Sequence, residues 1–319
     1  MLQQHRVVAM FSLGLMVACA GAAYGQAYPS RPVRIVTTSA GGGNDLVARL
    51  VASGITGPLG QQVVVENRPS GWFSGEMVQK APPDGHTLLL AGTTFSVATL
   101  FSKAPYDPIK DFAPITLISS EPSVLTVHPS VPAKTVKELI ALAKAKPGEL
   151  NYTSQGVGSS NHLAGALFTS MAGVNIVHVP YKGAAQAVVD LVAGQVHMRF
   201  GSAAPVLAHI KAGKLRAIAV TGAAPSAFFP GLPTIAATVP GYESVSSTVM
   251  FAPARTPDAI VRRINQETVR FLNTPEAKEK LTGVGQEVVA STPEHLATSM
   301  KNELTQLGKL IKEMGIRAD

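Results

Sequence analysis

Short apolar runs alternate along the chain with longer segments whose apolar residues recur at helical spacing. Val33–Val36, Gln62–Glu66 and His86–Ala91 are predicted as strands, and Leu46–Ile55 is predicted as a helix. Apolar strands separated by helices favour a mostly parallel sheet that is covered on both faces. The pattern therefore predicts an α/β fold.

The middle of the chain repeats this alternation. Thr135 and Glu138 form a capping box that opens a helix, and Pro147-Gly148 ends it. Further strands are predicted at Asn151–Thr153, Asn175–Val179, Val196–Phe200 and Leu215–Val220, with helices at Leu163–Met171 and Ala184–Ala193. Near the end, Thr-Pro-acid triplets at 256–258, 274–276 and 292–294 each predict a threonine-capped helix start.

Two extended, β-branched segments are predicted to cross between two lobes. They are Pro114–Val127 and Ser244–Phe251. The predicted units are residues 26–126 for the first part of lobe 1, 127–242 for lobe 2, and 243–319 for the return to lobe 1. Two lobes joined by two crossings form a cleft that can close by hinge motion.

The first 25 residues predict a cleaved signal peptide and therefore a periplasmic protein. Arg6 precedes the apolar run Val7–Ala23, and Ala23-Tyr24-Gly25 offers small residues for cleavage. An uncleaved anchor and lipidation at Cys19 are the alternatives. Cys19 is the only cysteine, so cleavage after Gly25 leaves no thiol for a disulfide, a nucleophile or a metal site.

Composition narrows the class of protein. The 319 residues are 46% hydrophobic and 15% charged, which is typical of two globular domains. The net charge of +7 suits an anionic ligand. Lysine and arginine are scattered rather than clustered, so we expect no nucleic-acid partner. A monomer is expected.

Two glycine-rich loops, each between a predicted strand and a predicted helix, are the main candidates for a binding site. They span Thr37–Asp45 and Ser154–Ser160. Glycines let backbone N–H groups approach a ligand, and a helix N-terminus adds partial positive charge. The carboxyl ends of strands are where open α/β sheets bind ligands. The alternative is that the glycines only make tight turns and that Asp45 only caps its helix.

The predicted ligand-binding residues come from these loops and from the strand ends beside them. They are Thr38, Ser39, Gly41, Gly42, Gly43, Asn44, Asp45, Trp72, Thr93, Thr94, Ser154, Gln155, Gly156, Gly158, Ser159, Ser160, Tyr181 and Ser202. The sequence has no Gly-Lys-Ser/Thr loop ending and no Gly-x-Ser-x-Gly elbow, and its histidines are dispersed. We therefore predict no catalytic residue, no metal and no cofactor.

Several motifs in fixed order resemble one family. They are Tyr28–Pro32, Gly41–Arg49, Gln62–Pro69, Pro83–Leu89, His178–Ala185 and Asp190–Val196. Together they resemble the Bug/TctC family, the extracytoplasmic receptors of tripartite tricarboxylate transporters. The resemblance implies a type II-like Venus flytrap that holds a small carboxylate by backbone N–H groups and bridging waters, without an arginine clamp. The expected ligand is a small monocarboxylate or dicarboxylate, with an aromatic carboxylate as one alternative. Membrane transporter subunits would be its partners. A signalling receptor, or a hydrolase on the same scaffold, is the alternative.

The sequence departs from the family pattern in three places, which bear on the ligand. Thr37-Thr38 stand where the family often has Pro-Phe. The stretch 70–75 is short and carries Trp72 and Phe73, which either wall the pocket and favour an aromatic ligand or pack onto the lobe. His197 and Arg199 replace an aspartate and an apolar residue, near what we expect to be the cleft end of a strand.

Overall fold

The computed structural model describes residues 28–316, apart from 39, 42, 69–71, 93, 102, 103 and 122. The predicted signal peptide, its cleavage site and Cys19 lie outside the described residues. Within them, no helix is both long and apolar enough to cross a membrane.

The strands follow the predicted runs closely. In chain order they are β1 (Val33–Thr37), β2 (Val63–Asn67), β3 (Thr87–Gly92), β4 (Phe112–Glu121), β5 (Ser123–Val127), β6 (Asn151–Ser154), β7 (Val177–Pro180), β8 (Met198–Ser202), β9 (Arg216–Val220), β10 (Ser246–Pro253) and β11 (Glu287–Val288).

The helices fall between the strands and at the end of the chain. In chain order they are α1 (Gly43–Leu59), α2 (Phe73–Gln79), α3 (Thr94–Val97), α4 (Val136–Ala145), α5 (Ser160–Ala172), α6 (Ala184–Val192), α7 (Leu207–Lys211), α8 (Asp258–Leu272), α9 (Pro275–Gly283) and α10 (Pro293–Met314).

Two sheets define the two lobes. The first has the order β11-β4-β10-β3-β1-β2 and the second has the order β7-β6-β8-β5-β9. Parallel pairing is confined to β1 with β2 and β3, and to β6 with β7 and β8. The other pairs are antiparallel, so both sheets are mixed rather than mostly parallel as the sequence predicts. Parallel order arises only where a helix carries the chain back, and the crossing strands make no such return.

Each sheet is covered on both faces, which explains the continuous apolar runs. In the first lobe, Ile35 and Leu90 face the cluster built on α1 and α8, and Val36 and Leu89 face α2 and α10. In the second lobe, α4 and α5 cover one face and α6 covers the other.

The last helix joins the two cores. Leu296 and Met300 of α10 pack in the first lobe, whereas Leu307 and Leu310 pack in the core of the second. The assignment of residues 243–319 to lobe 1, and the other domain boundaries, stay predictions.

Two of the three predicted threonine caps form. Thr274 accepts the N–H of Ala277 at the start of α9, and Thr292 accepts the N–H of His295 at the start of α10. Thr256 does not cap α8, because its hydroxyl donates to the carbonyl of Pro253 at 2.7 Å. The chain leaves β10 in a turn at this point, and the Thr256 hydroxyl forms its hydrogen bond within that turn.

Candidate ligand-binding site

The first glycine-rich loop is held from below by a buried carboxylate. Asp45 is 3% exposed and accepts the N–H of Gly41 at 2.8 Å and Nδ2 of Asn67 at 2.8 Å. It also pairs with Arg49 at 3.0 Å. Burial opposes its charge, but these donors outweigh burial and lower the pKa of Asp45 below its usual range. Asp45 therefore fixes the loop from inside.

Asn67 extends this anchor to the neighbouring strand. Its Nδ2 also donates to the carbonyl of Thr38 at 2.8 Å, and its Oδ1 accepts from Arg49 at 3.0 Å. Asn67 is not among the site residues predicted from the sequence. The signal for it is the parallel pairing of Thr37 with Asn67, which places the end of β2 beside the loop.

The second loop is held by uncharged groups. Ser154 Oγ lies 2.7 Å from His178 Nε2 and accepts the N–H of Gly156 at 3.1 Å. The N–H of Gly158 donates to His162 Nδ1 at 3.0 Å. Ser159 is the N-cap of α5, where its side chain accepts the N–H of His162. The amides of Gly156 and Gly158 thus already have hydrogen-bond partners, Ser154 at the end of β6 and His162 in α5.

His162 and His178 stack under this loop with ring centroids 3.9 Å apart. Burial, together with His178, lowers the pKa of His162 to about 4, and burial also lowers the pKa of His178. A neutral His162 is required for Nδ1 to accept from Gly158. These histidines are dispersed in the sequence, and only the folded second lobe brings them together.

Tyr181 and Ser202 lie at the carboxyl ends of β7 and β8, the two strands that flank β6 in the second sheet. The N–H of Tyr181 donates to the carbonyl of Ser154 at 3.1 Å, and its hydroxyl donates to Asp190 at 2.7 Å. Burial and Asp190 raise the pKa of Tyr181 to about 12. Ser202 ends β8, which runs parallel to β6, so it shares an edge with the second loop.

The remaining predicted site residues comprise six whose exposure the structure describes and four whose exposure it does not. Gly41, Gly43, Gln155 and Ser160 are exposed, and Thr38 and Asn44 are half-buried. Ser39, Gly42 and Thr93 lie outside the described residues, and Thr94 is described only as the first residue of α3.

The aromatic pair separates. Trp72 is half-buried and lies edge-on to Tyr106, with ring centroids 6.0 Å apart, against the apolar cluster beside α2. Phe73 is 57% exposed. These contacts favour packing on the lobe for Trp72, and a role in walling the pocket stays a prediction.

His197 does not lie near the cleft end of its strand, contrary to the sequence expectation. It precedes β8, and its Nδ1 accepts the N–H of Asn151 at the start of β6, at 3.2 Å. The expectation is wrong because His197 lies at the amino end of β8, beside the start of β6, whereas the loops follow the carboxyl ends of these parallel strands. Arg199 does reach toward the cleft end, since its Nη1 donates to the carbonyl of Ser202 at 2.8 Å.

The two loops belong to different sheets. The first follows β1, which lies beyond β3 from the crossing strand β10, and the second follows β6, which lies beyond β8 from β5. A separate cavity of about 450 Å³ lies at the crossing, lined by α10, β11 and the segment 222–226. None of the predicted site residues that the structure describes lines that cavity. No group of three metal-ligating side chains occurs among the described residues.

The sequence model described as "Tripartite tricarboxylate transporter family receptor", TctC, matches residues 47–316. The chain belongs to the TctC family. This family consists of transporter receptors, which are binding proteins rather than enzymes, and the hydrolase alternative is set aside.

TctC relatives cover almost the whole chain. The UPF0065 protein of the tcbD-tcbE intergenic region of Pseudomonas sp. strain P51 is 37% identical over 99% of this chain and 96% of its own length. Protein BugT of Bordetella pertussis is 32% identical over 96% of this chain and 97% of its own length.

Solved structures of TctC relatives share the two-lobed periplasmic binding protein fold. R. palustris Rpa4515 with adipate is 35% identical, with a TM-score of 0.68 over 91% of this chain and 99% of that chain. MatC of Rhodopseudomonas palustris with bound malate is 28% identical, with a TM-score of 0.65 over 89% and 100%. A TctC protein from Polaromonas without ligand is 27% identical, with a TM-score of 0.84 over 90% and 99%.

Proposed function

We propose that this protein is a periplasmic receptor that captures a small organic carboxylate between its lobes and delivers it to a tripartite transporter. The observation that carries the proposal is the pair of strand–glycine loop–helix units, one on each lobe, each at the carboxyl end of a parallel strand. Relatives in the same family were solved with adipate and malate, which supports a carboxylate ligand.

Helix N-termini supply the donors in this proposal. The first amides of an α-helix have no partner within the helix. In α5 the amide of His162 is taken by Ser159, and Gly156 and Gly158 are engaged, so the N–H groups of Ser160 and Asn161 are the proposed contacts in the second lobe. In the first lobe, Gly43 and Asn44 open α1 above the Asp45 anchor. Bridging waters complete the contacts.

The comparison of TM-scores supports hinge closure. The ligand-free relative matches better than the adipate-bound one, 0.84 against 0.68, although its sequence is less similar, 27% against 35%. Sequence divergence alone would give the reverse order, so we infer that the lobes are arranged as in the open receptor. Ligand binding would close them, with the free energy supplied by contacts made only when closed.

Export and delivery belong to the same proposal. We expect cleavage after Gly25, so that the mature chain begins at Gln26, with membrane transporter subunits as partners. Mass spectrometry of the periplasmic protein checks the first residue. An intact Met1 would contradict export, and a lipid on Cys19 would replace cleavage at Gly25.

A ligand screen followed by paired glycine variants tests the site. Carboxylates that bind the folded chain should raise its melting temperature, and scattering should show a smaller radius on closure. Gly158 has φ +77, and Gly213, in the turn after α7, has φ +69. Gly158→Val and Gly213→Val should therefore suffer similar backbone strain. Only Gly158→Val should lose affinity, by about tenfold to a hundredfold. Equal affinity in both variants would contradict a site at this loop.

A further inference from the structure

Arg199 is a buried cation at the cleft end of the second sheet. It is 1% exposed and stands in β8 between Thr126 of β5 and Thr153 of β6. Its side chain extends along the strand until Nη1 reaches the carbonyl of Ser202. The guanidinium therefore lies at the edge that carries the second glycine-rich loop.

Part of this guanidinium has no partner. Among the described residues, no acceptor lies within hydrogen-bonding distance of Nη2, which is buried, and no carboxylate forms an ion pair with Arg199 within 4.0 Å. Removing a cation from water without a counter-charge is strongly unfavourable. A nearby anion would stabilise a buried, unpaired guanidinium of this kind.

A second unpartnered donor lies beside it. Asn161, in the first turn of α5, is 5% exposed, and its buried Nδ2 has no partner among the described residues. A Cβ added at Gly201, two residues beyond Arg199, would lie 2.5 Å from this nitrogen. Glycine at 201 thus makes room for the amide. Two buried N–H donors converge on one strand end.

Glu121 is the acidic group that faces Arg199. It ends β4 at the crossing, and burial raises its pKa while the Ser202 side chain and Arg199 oppose that shift. Burial lowers the pKa of Arg199 to about 10, so the arginine remains charged at neutral pH. Glu121 attracts Arg199 from beyond ion-pair distance and would compete with an incoming anion.

The charge available in the cleft exceeds what one carboxylate needs. Each helix N-terminus carries roughly half a positive charge, so the starts of α1 and α5 together balance about one carboxylate. Arg199 adds a full charge at the base of the second lobe.

We propose that Arg199, with Asn161 beside it, holds a second carboxylate of the ligand. The receptor then selects small dicarboxylates over monocarboxylates of the same length. This inference rests on the proposed function, since it assumes that the first carboxylate binds at the helix N-termini.

Calorimetry with matched ligand pairs tests this selectivity. Succinate is compared with butyrate and adipate with hexanoate, on wild type, Arg199→Met, Arg199→Lys and a control, Arg216→Met. Arg216 lies in β9 of the same sheet and donates to the carbonyls of Val131 and Ala133. Wild type should bind the tighter-binding of the two dicarboxylates about tenfold to a hundredfold more strongly than the monocarboxylate of the same length.

Each variant has a distinct expected result. Arg199→Met should bring the dicarboxylate and monocarboxylate affinities within about threefold of each other, and Arg199→Lys should keep part of the preference because it keeps the charge. Arg216→Met should lower the melting temperature without changing the preference. An equal loss for both ligand classes in Arg199→Met would overturn the inference, as would a wild type without preference.

Glu121→Gln tests the role of Arg199 without changing Arg199 itself, so the result does not depend on whether an Arg199 variant folds. If Arg199 serves the ligand, removing the competing carboxylate should strengthen dicarboxylate binding by at least about threefold. If Arg199 serves only Glu121, dicarboxylate binding should not strengthen, and the inference fails. Absence of any carboxylate binding to wild type would instead refute the proposed function.

Discussion

The two glycine-rich loops have the same local design but different anchors. The loop of the first lobe is pinned by the charged carboxylate of Asp45, whereas that of the second is pinned by two stacked, uncharged histidines. Asp45 lies in the helix that the first loop opens, whereas the second loop is held both from its helix, by His162, and from β7, by His178. The difference sets how each half of the cleft responds to acid and to an incoming anion.

The first loop carries a buried negative charge under its proposed ligand contacts, offset by Arg49. The second loop carries no acidic anchor and has Arg199 at the same edge. The second lobe is therefore the more favourable half for an anion. We expect the ligand to dock there first, before closure brings the first lobe against it.

The largest effect should come from removing the charge of Asp45. Asp45→Asn loses charge-assisted bonds from Gly41 and Arg49, and the free energy of unfolding should fall by about 3 kcal/mol. Affinity for the carboxylate identified by the screen should fall about tenfold, because the loop loses its fixed position. Denaturant unfolding and calorimetry measure the two quantities.

Asp107→Asn is the matched control for Asp45. Asp107 accepts the amides of Ile109 and Lys110 before β4 and has a lowered pKa of similar origin, at the edge of the sheet away from the cleft. It should lower stability and leave affinity unchanged. Equal losses of affinity in the two variants would remove Asp45 from the site.

Mild acid should weaken the second loop before the first. The unfolded chain protonates His162 near pH 6.5 and the folded chain only near pH 4, so unfolding takes up a proton between these values. Stability is therefore lost as pH falls from about 6.5 to about 4, by an amount on the order of 3 kcal/mol for this group. The pKa of Asp45 is lowered, so its contribution is lost only below pH 3.8.

His162→Gln tests that assignment, since glutamine can accept from Gly158 without titrating. Unfolding measured across this pH range should show a shallower slope than in wild type. His209→Gln, at the end of α7, should keep the wild-type slope. An unchanged slope in His162→Gln would assign the acid response to other groups.

A smaller effect is expected at the cap of α5. Ser159→Ala and Thr135→Ala each remove a side-chain N-cap in the second lobe, and each should cost about 1 kcal/mol of stability. Only Ser159→Ala should also weaken ligand binding, by about threefold, because α5 opens at the cleft and α4 does not. Binding that is equally affected in both variants would point to global loosening instead.

The smallest effect should come from Trp72. Its edge contact with Tyr106 predicts that Trp72→Phe costs about 1 kcal/mol of stability and changes affinity by less than about twofold for aromatic and aliphatic carboxylates alike. Wild-type tryptophan emission should change little on titration with benzoate. A selective loss of aromatic ligands in the variant would instead place Trp72 in the pocket wall.

The sequence by itself determined the order of the elements. Buried strands appear as apolar runs because both sheet faces are covered, and Val33–Val36 and His86–Ala91 fall within one or two residues of β1 and β3. The loops were identifiable too, since glycine clusters between a strand and a helix have few alternatives. The family followed from ordered motifs.

Tertiary structure alone decided what supports those loops. Asn67 reaches Asp45 through strand pairing, and His178 reaches His162 across 16 positions of sequence, neither of which leaves a periodic signal. It also decided the sheet order, because a crossing strand and a core strand have the same apolar pattern. In the sequence, Arg199 is one charged residue within a predicted strand. Its burial between β5 and β6, which the sequence does not show, makes it a cation without a counter-ion among the described residues. Desolvation is a property of the packed neighbours, which a single strand cannot specify.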